Sequence, residues 1–146
     1  MSDRRAVPPS AAGDLEPYGA RIFLGALPPG FALEPFLQAL LEQIAARCVE
    51  EGAGVIGHLK CVLQSDRTSL RCNLTSLRSG ARCAPGPDPS ARVTSATEDT
   101  GVPGATLDLA VLVYGLPAEA IDELVEEALA SLLHPQGIPW GKQAAC

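Results

Sequence analysis

The residues best suited to chemistry lie in one predicted β-hairpin and in one later strand. Stretches 53–64 and 68–77 both have the composition of strands, and a short polar turn at 65–67 joins them. If the chain turns at Asp66-Arg67, alternate side chains share a face, and the polar ones gather on one side of the sheet. The candidate binding residues on that side are His58, Lys60, Arg71, Asn73, Asp108 and Tyr114.

This polar side of the hairpin has three interpretations. A histidine, two cations, a carboxylate and an amide on one surface can bind an anionic ligand or move a proton. The same face can instead be polar only because it faces water. Ile56, Val62 and Leu112 are expected on this side as well, and a mixed apolar and polar face suits a subunit interface. No nucleophile or second base is tied to His58 by a motif, so no catalytic residue is assigned.

The same hairpin register places two of the five cysteines opposite each other on the apolar side, where Cys61 faces Cys72. The cysteines show no C-x-x-C spacing, and an odd number favours reduced thiols over a disulfide framework. We interpret them as small buried hydrophobic residues. A metal site would require about four Cys, His or carboxylate ligands, and His58 points to the other face. No metal and no cofactor are therefore expected.

Composition restricts the class of protein. The formal net charge of −6 disfavours nucleic-acid binding, which normally depends on clustered Lys and Arg. Aromatic residues make up only 4%, so the core must be aliphatic. No apolar run is long enough for a membrane span, and no apolar segment follows the N-terminal arginines, which predicts a cytoplasmic protein. The excess of Ala, Gly, Arg, Pro and Leu is typical of a GC-rich bacterial source.

Hydrophobic periodicity predicts the elements that position these residues. Apolar residues at helical spacing indicate a helix over 33–51, and a second apolar stripe follows Pro117. Between them, Leu107, Leu109, Val111 and Val113 alternate as in a strand. With a short strand near residues 20–27, the order is (β)αββ–loop–βα. The predicted fold is α+β, with two helices on one face of a mostly antiparallel sheet of three to four strands.

Three segments are expected to flank or interrupt this domain. Residues 1–19 are predicted to form a mobile arm, 20–140 a single domain, and 141–146 a C-terminal tail. Residues 78–104 are rich in Gly, Pro, Ser and Thr, and the absence of apolar anchors favours a disordered loop.

The strand that ends at Tyr114-Gly115, with a helix beginning just beyond a proline, resembles the alkaline shock protein family. Members of that family are small α+β domains with a comparable order of elements. The long Pro/Gly loop and the strand that contains His58 and Lys60 have no counterpart there. The resemblance implies a small α+β fold and transfers no residue role or activity.

Taken together, these features predict a non-enzymatic cytoplasmic domain that acts by self-association, as a homodimer, or by docking a protein partner. The contact surface is expected on the sheet face that carries His58 and Lys60. The alternative is a small enzyme or a binding protein for an anionic ligand, with His58, Lys60, Arg71 and Asp108 lining a site beneath the 78–104 loop. Binding to nucleic acid or to a membrane is not expected.

Overall fold

The computed structural model describes residues 17–66, 68–86 and 104–144. Within these ranges the chain forms six strands, two α-helices and one short 3-10 helix. In chain order they are β1 (Tyr18–Leu24), α1 (Leu33–Glu50), β2 (Val55–Ser65), β3 (Ser69–Leu74), β4 (Ala81–Pro85), β5 (Ala105–Tyr114), α2 (Ala118–Leu133), the 3-10 helix (His134–Gln136) and β6 (Trp140–Ala144). Residues 1–16 of the predicted arm and 87–103 of the predicted loop lie outside the described residues, whereas Tyr18 and Gly19 belong to β1.

All six strands form one sheet in the order β4-β3-β2-β5-β1-β6, and every neighbouring pair is antiparallel. Strands β1 and β2 both pair with β5, so α1 connects two parallel strands with one strand between them. Helix α2 connects β5 to β6 around β1 in the same way. Two interleaved split βαβ units of this kind give the ferredoxin-like arrangement. Strands β3 and β4 extend that sheet beyond β2.

The prediction of a three- to four-stranded sheet is therefore wrong, although the α+β class is correct. The two strands that the sequence did not indicate, β4 and β6, form the edges of the sheet. Edge strands have one paired neighbour and bury few residues, so their apolar alternation is weak. Pro85, which ends β4, is tolerated because an edge strand leaves one row of backbone N–H groups without a ladder partner.

One face of the sheet is covered by both helices, and a single aliphatic core lies between the two layers. The helix stripes predicted from the sequence supply one side of this core, with Leu40 and Ile44 from α1 and Val125 and Leu129 from α2 fully buried. The sheet supplies the other side. Its fully buried residues are Ile22, Leu59, Leu63, Leu74, Leu107 and Val111. An ion pair also joins the helices, from Arg47 Nη2 to Glu127 Oε1 at 2.7 Å.

The hairpin of β2 and β3 has the predicted register, with Leu59 opposite Leu74 and Cys61 opposite Cys72. One detail at the start of β2 differs. The pairing of β2 with β5 shifts between Ile56 and His58, so Gly57 forms a β-bulge. The expectation that Ile56 shares a face with His58 is therefore wrong. Ile56 packs against the core, whereas Val55 is 58% exposed.

The expectation that all cysteines are reduced is also wrong. Cys72 and Cys83 form a disulfide, while Cys48 and Cys61 are the free cysteines among the described residues. Cys83 lies in β4, within the stretch that the sequence assigned to a loop, so its position opposite Cys72 was not foreseen.

Candidate functional site

The sheet surface that faces away from the helices, called the open face below, contains all six of the candidate residues predicted from the sequence. Lys60 on β2 pairs with Asn73 on β3, and Asn73 pairs with Arg82 on β4. These three side chains form one row across the sheet, and all are exposed. Arg71 is also exposed and lies two residues from Asn73 on the same face. We call Lys60, Arg71 and Arg82, together with Asn73, the basic cluster.

Within the described residues, no carboxylate forms an ion pair with a cation of the basic cluster. The sequence predicted Lys60, Arg71 and Asn73 on this surface but missed Arg82. Arg82 follows Gly80-Ala81 in a stretch without strand-like alternation, so no local signal indicated its face. At the first residue of β4, the Ala81 N–H donates to Glu42 Oε2 on α1 at 3.0 Å.

Asp108 lies on the open face but is engaged by another residue. It stands directly opposite Arg21, whose Nε and Nη2 donate to its two carboxylate oxygens at 2.7 and 3.2 Å. The hydrogen bond with Asp108, followed by its charge, raises the pKa of the Arg21 guanidinium. The Asp108 charge is therefore matched locally. This arrangement separates Asp108 from the basic cluster and does not provide His58 with a carboxylate partner.

The remaining candidates form the apolar end of the open face. His58 stands opposite Leu112, and Val55 stands opposite Tyr114. His58, Leu112 and Tyr114 are half-buried. Tyr114 lies four residues along β5 from Ala110, the partner of Lys60, which corresponds to roughly 13 Å. The apolar end and the basic cluster are thus two parts of one surface.

Charge is segregated between the two layers of the domain. The helices carry most of the acidic residues that the structure describes, namely Glu34, Glu42, Glu50, Glu119, Asp122, Glu123, Glu126 and Glu127. The open face carries four cations, Arg21 and the three of the basic cluster, against one carboxylate, Asp108. A chain with net charge −6 therefore presents a positively charged sheet surface.

The described residues contain no group of three or more side chains suited to hold a metal ion. A cleft of about 410 Å³ lies at the helix layer and is lined mainly by apolar residues, including Phe31, Phe36 and Leu132. It contains no charged side chain, and the candidate residues are not among its lining. No described helix has the length and apolar character that crossing a membrane requires.

A polar network that the sequence did not indicate ties β6 to the rest of the domain. The buried Tyr18 hydroxyl donates to Asp122 Oδ1 at 2.5 Å, and Lys142 Nζ lies 2.9 Å from the same oxygen. Lys142 also pairs with Glu126 at 3.1 Å, and its side chain is only 11% exposed. Since each charged group has an opposite partner, the network fastens β1, α2 and β6 together.

This network makes stability depend on pH in a defined direction. Burial acts to raise the pKa of Asp122, but hydrogen bonds from Tyr18 and Lys142 outweigh it and leave that pKa lowered. The stabilisation is therefore complete above the unfolded-state pKa of about 4 and is lost as pH falls through the lower folded value. Hydrogen bonding to Asp122 raises the pKa of Lys142, so its contribution is lost only as pH rises above about 10.

Asp122→Asn is expected to lower the free energy of unfolding by about 1 kcal/mol at neutral pH, because it removes the charge that Lys142 pairs with. The loss is no larger because the Asp122 side chain is one-third exposed to solvent. The matched control is Glu123→Gln, one position along on the exposed side of α2. Denaturant unfolding of wild type and both variants between pH 3 and pH 8 measures the difference. The difference in unfolding free energy between the wild type and Asp122→Asn should disappear as the pH falls below about 4. A gap that does not change with pH would contradict a charged role.

Comparison of the chain with family models, with curated proteins and with solved structures finds no match. The likeness of the strand before Gly115 to the alkaline shock protein family has no support from a family model.

Proposed function

We propose that this chain is a non-enzymatic interaction domain that binds an acidic protein partner through the open face of its sheet. One observation carries the proposal. The face opposite the helices combines half-buried apolar residues at the apolar end with cations of the basic cluster that have no carboxylate partner among the described residues, and no described element covers it. Interfaces combine apolar contact with polar residues at the rim, and complementary charge selects the partner and speeds association.

Charge favours an acidic partner over a second copy of the same face. Two open faces packed together would bring Lys60, Arg71 and Arg82 of both copies into one layer, and like charges at an interface cost free energy. A partner with carboxylates would instead neutralise them. Self-association, the other form of the sequence prediction, is therefore an outcome that the experiment must distinguish.

The proposal is tested by titrating a fluorescent polyglutamate peptide into the wild type and into two variants with the same charge change. Arg71→Glu reverses a charge in the basic cluster, and Arg78→Glu reverses an exposed charge in the turn before β4. We expect Arg71→Glu to weaken binding by about tenfold or more and Arg78→Glu to have little effect. Because the whole chain is acidic, any binding of polyglutamate requires a localised basic surface.

Equal loss in both variants, or no binding by the wild type, would contradict the proposal. Light scattering of the wild type and of Tyr114→Asp measures the molecular mass and so tests self-association through the open face. A wild-type dimer that becomes a folded monomer in Tyr114→Asp would place a second copy on the open face and reject the acidic partner.

The row of Lys60, Asn73 and Arg82 also supports a second candidate, binding of a small anion. Two cations flank an amide there, and both can donate to the same oxyanion. Competition of inorganic phosphate with polyglutamate at constant ionic strength, lost in Arg82→Gln, would favour this candidate. The enzyme form of the alternative has less support, because Arg21 engages Asp108 and Leu112 is the strand partner of His58.

A further inference from the structure

Three cysteines occupy directly paired positions on three neighbouring strands. Cys61 on β2 is opposite Cys72 on β3, and Cys72 is opposite Cys83 on β4. All three lie on the helix-facing side of the sheet, where Cys72 and Cys83 are joined and Cys61 is free. We call them the cysteine row.

Strand spacing determines which pairs of the row can be bonded. Directly opposite residues in an antiparallel pair have Cα atoms about 4.5–5.5 Å apart, which overlaps the span of a disulfide. A hydrogen bond also joins the Cys61 thiol to the backbone of Cys72. Cys72 can therefore bond to either neighbour. Cys61 and Cys83 are two strands apart, roughly 9–10 Å, and cannot bond to each other.

Accessibility separates the members of the row. Cys61 and Cys72 are 1% and 2% exposed, whereas Cys83 is half-buried on the edge strand β4. A small thiol or disulfide from solution can therefore reach Cys83 and neither of the other two.

We propose that Cys72 is a shared disulfide partner, and that its transfer from Cys83 to Cys61 makes Cys83 a site of S-thiolation by low-molecular-weight disulfides such as glutathione disulfide. This inference is independent of the proposed binding function. In the first step the Cys61 thiolate attacks Cys72 Sγ. The Cys61–Cys72 bond forms, the Cys72–Cys83 bond breaks, and the electron pair leaves on Cys83 Sγ.

In the second step the Cys83 thiolate attacks glutathione disulfide. A mixed disulfide forms on Cys83, and one glutathione leaves as its thiolate and takes up the proton that Cys61 lost. Overall the Cys61 thiol is oxidised into a disulfide, and one of the two glutathione sulfurs is reduced to a thiol while the other stays bonded to Cys83. Burial raises the pKa of Cys61 to about 12, so the first step is slow at neutral pH and accelerates as pH rises.

The test is incubation of the folded protein with glutathione disulfide, followed by intact mass measurement and peptide mapping of the disulfides. Every protein carries Cys146→Ala, which removes the one cysteine outside the described residues. The protein that carries Cys146→Ala alone is called the parent. It is expected to gain one glutathione, on Cys83, together with a Cys61–Cys72 bond. Cys61→Ala is expected to gain none, because Cys83 then stays bonded to Cys72.

Cys48→Ala is the matched control, since Cys48 is the other buried free cysteine and has no cysteine opposite it. It should behave as the parent does. Cys61→Ser keeps a side chain of similar size and replaces Cys61→Ala in the test if Cys61→Ala does not fold. In Cys83→Ala, oxidation should form Cys61–Cys72 with no adduct.

Three results would overturn the proposal. The parent protein gains no glutathione, a folded Cys61 variant gains as much as the parent, or Cys83→Ala keeps both Cys61 and Cys72 as free thiols after oxidation. The second result would show that Cys83 becomes available without Cys61, and the third that Cys72 does not reach Cys61.

Discussion

Replacing Leu109 with alanine is expected to lower the free energy of unfolding by about 2–5 kcal/mol. Leu109 is 3% exposed and lies near the centre of the sheet, opposite Cys61 on β2 and Ala20 on β1. Removing its side chain leaves a cavity beneath the helices, and the small size of Ala20 leaves little to fill it. Denaturant unfolding followed by circular dichroism measures the change.

Leu77→Ala is the control for this substitution, because Leu77 is 42% exposed in the turn between β3 and β4. Its effect should stay within about 0.5 kcal/mol. If the two variants unfolded at the same denaturant concentration, Leu109 would not face the core, and the register of β5 would be wrong.

The parts of the fold that the sequence predicted are those that bury whole stripes of side chains. Leu107, Leu109 and Val111 alternate because β5 has one face in the core, and the stripes of α1 and α2 repeat for the same reason. The register of the β2–β3 hairpin followed from the same rule, since a shift of one residue would have exposed Leu59 and Leu74.

The edge strands could not be predicted in this way. β6 directs Lys142 toward the helices, where Asp122 and Glu126 satisfy its charge. A strand with a lysine on its inward face has no apolar alternation to read. β4 depends on contacts distant in sequence, the Cys72–Cys83 bond and the hydrogen bond from Ala81 to Glu42. Such contacts leave no local pattern.

The charge of the candidate surface also depends on topology. The net charge of −6 disfavours nucleic-acid binding when it is taken as a sum over the whole chain. The sheet order instead places Arg82 beside the row that contains Lys60, while the glutamates of α1 and α2 lie in the helix layer. Composition sums charges over the chain, whereas a partner meets only one face.

The β-bulge at Gly57 is the feature of β2 that the alternation of the sequence did not predict. Substitution of this glycine is also expected to have the second large effect on the free energy of unfolding. A β-bulge adds one residue to one strand, so the alternation before it and after it belongs to opposite faces. Reading β2 as a regular strand placed Ile56 with His58, although Ile56 packs against the core. A Cβ atom on residue 57 would lie 2.9 Å from the Leu112 carbonyl oxygen on β5. This distance is shorter than the van der Waals contact between a carbon and an oxygen atom, so one of the two strands would have to move.

Gly57→Ala is therefore expected to force β2 away from β5 and to cost about 1–3 kcal/mol of unfolding free energy. Gly54→Ala is the matched control three residues earlier, because a Cβ there meets no atom within 4 Å. NMR spectra of the two variants should show shifts at His58 and Leu112 only for Gly57→Ala. If both variants had wild-type stability and spectra, residue 57 would not be in the bulge, and Val55 and Ile56 would keep the faces that simple alternation assigns to them.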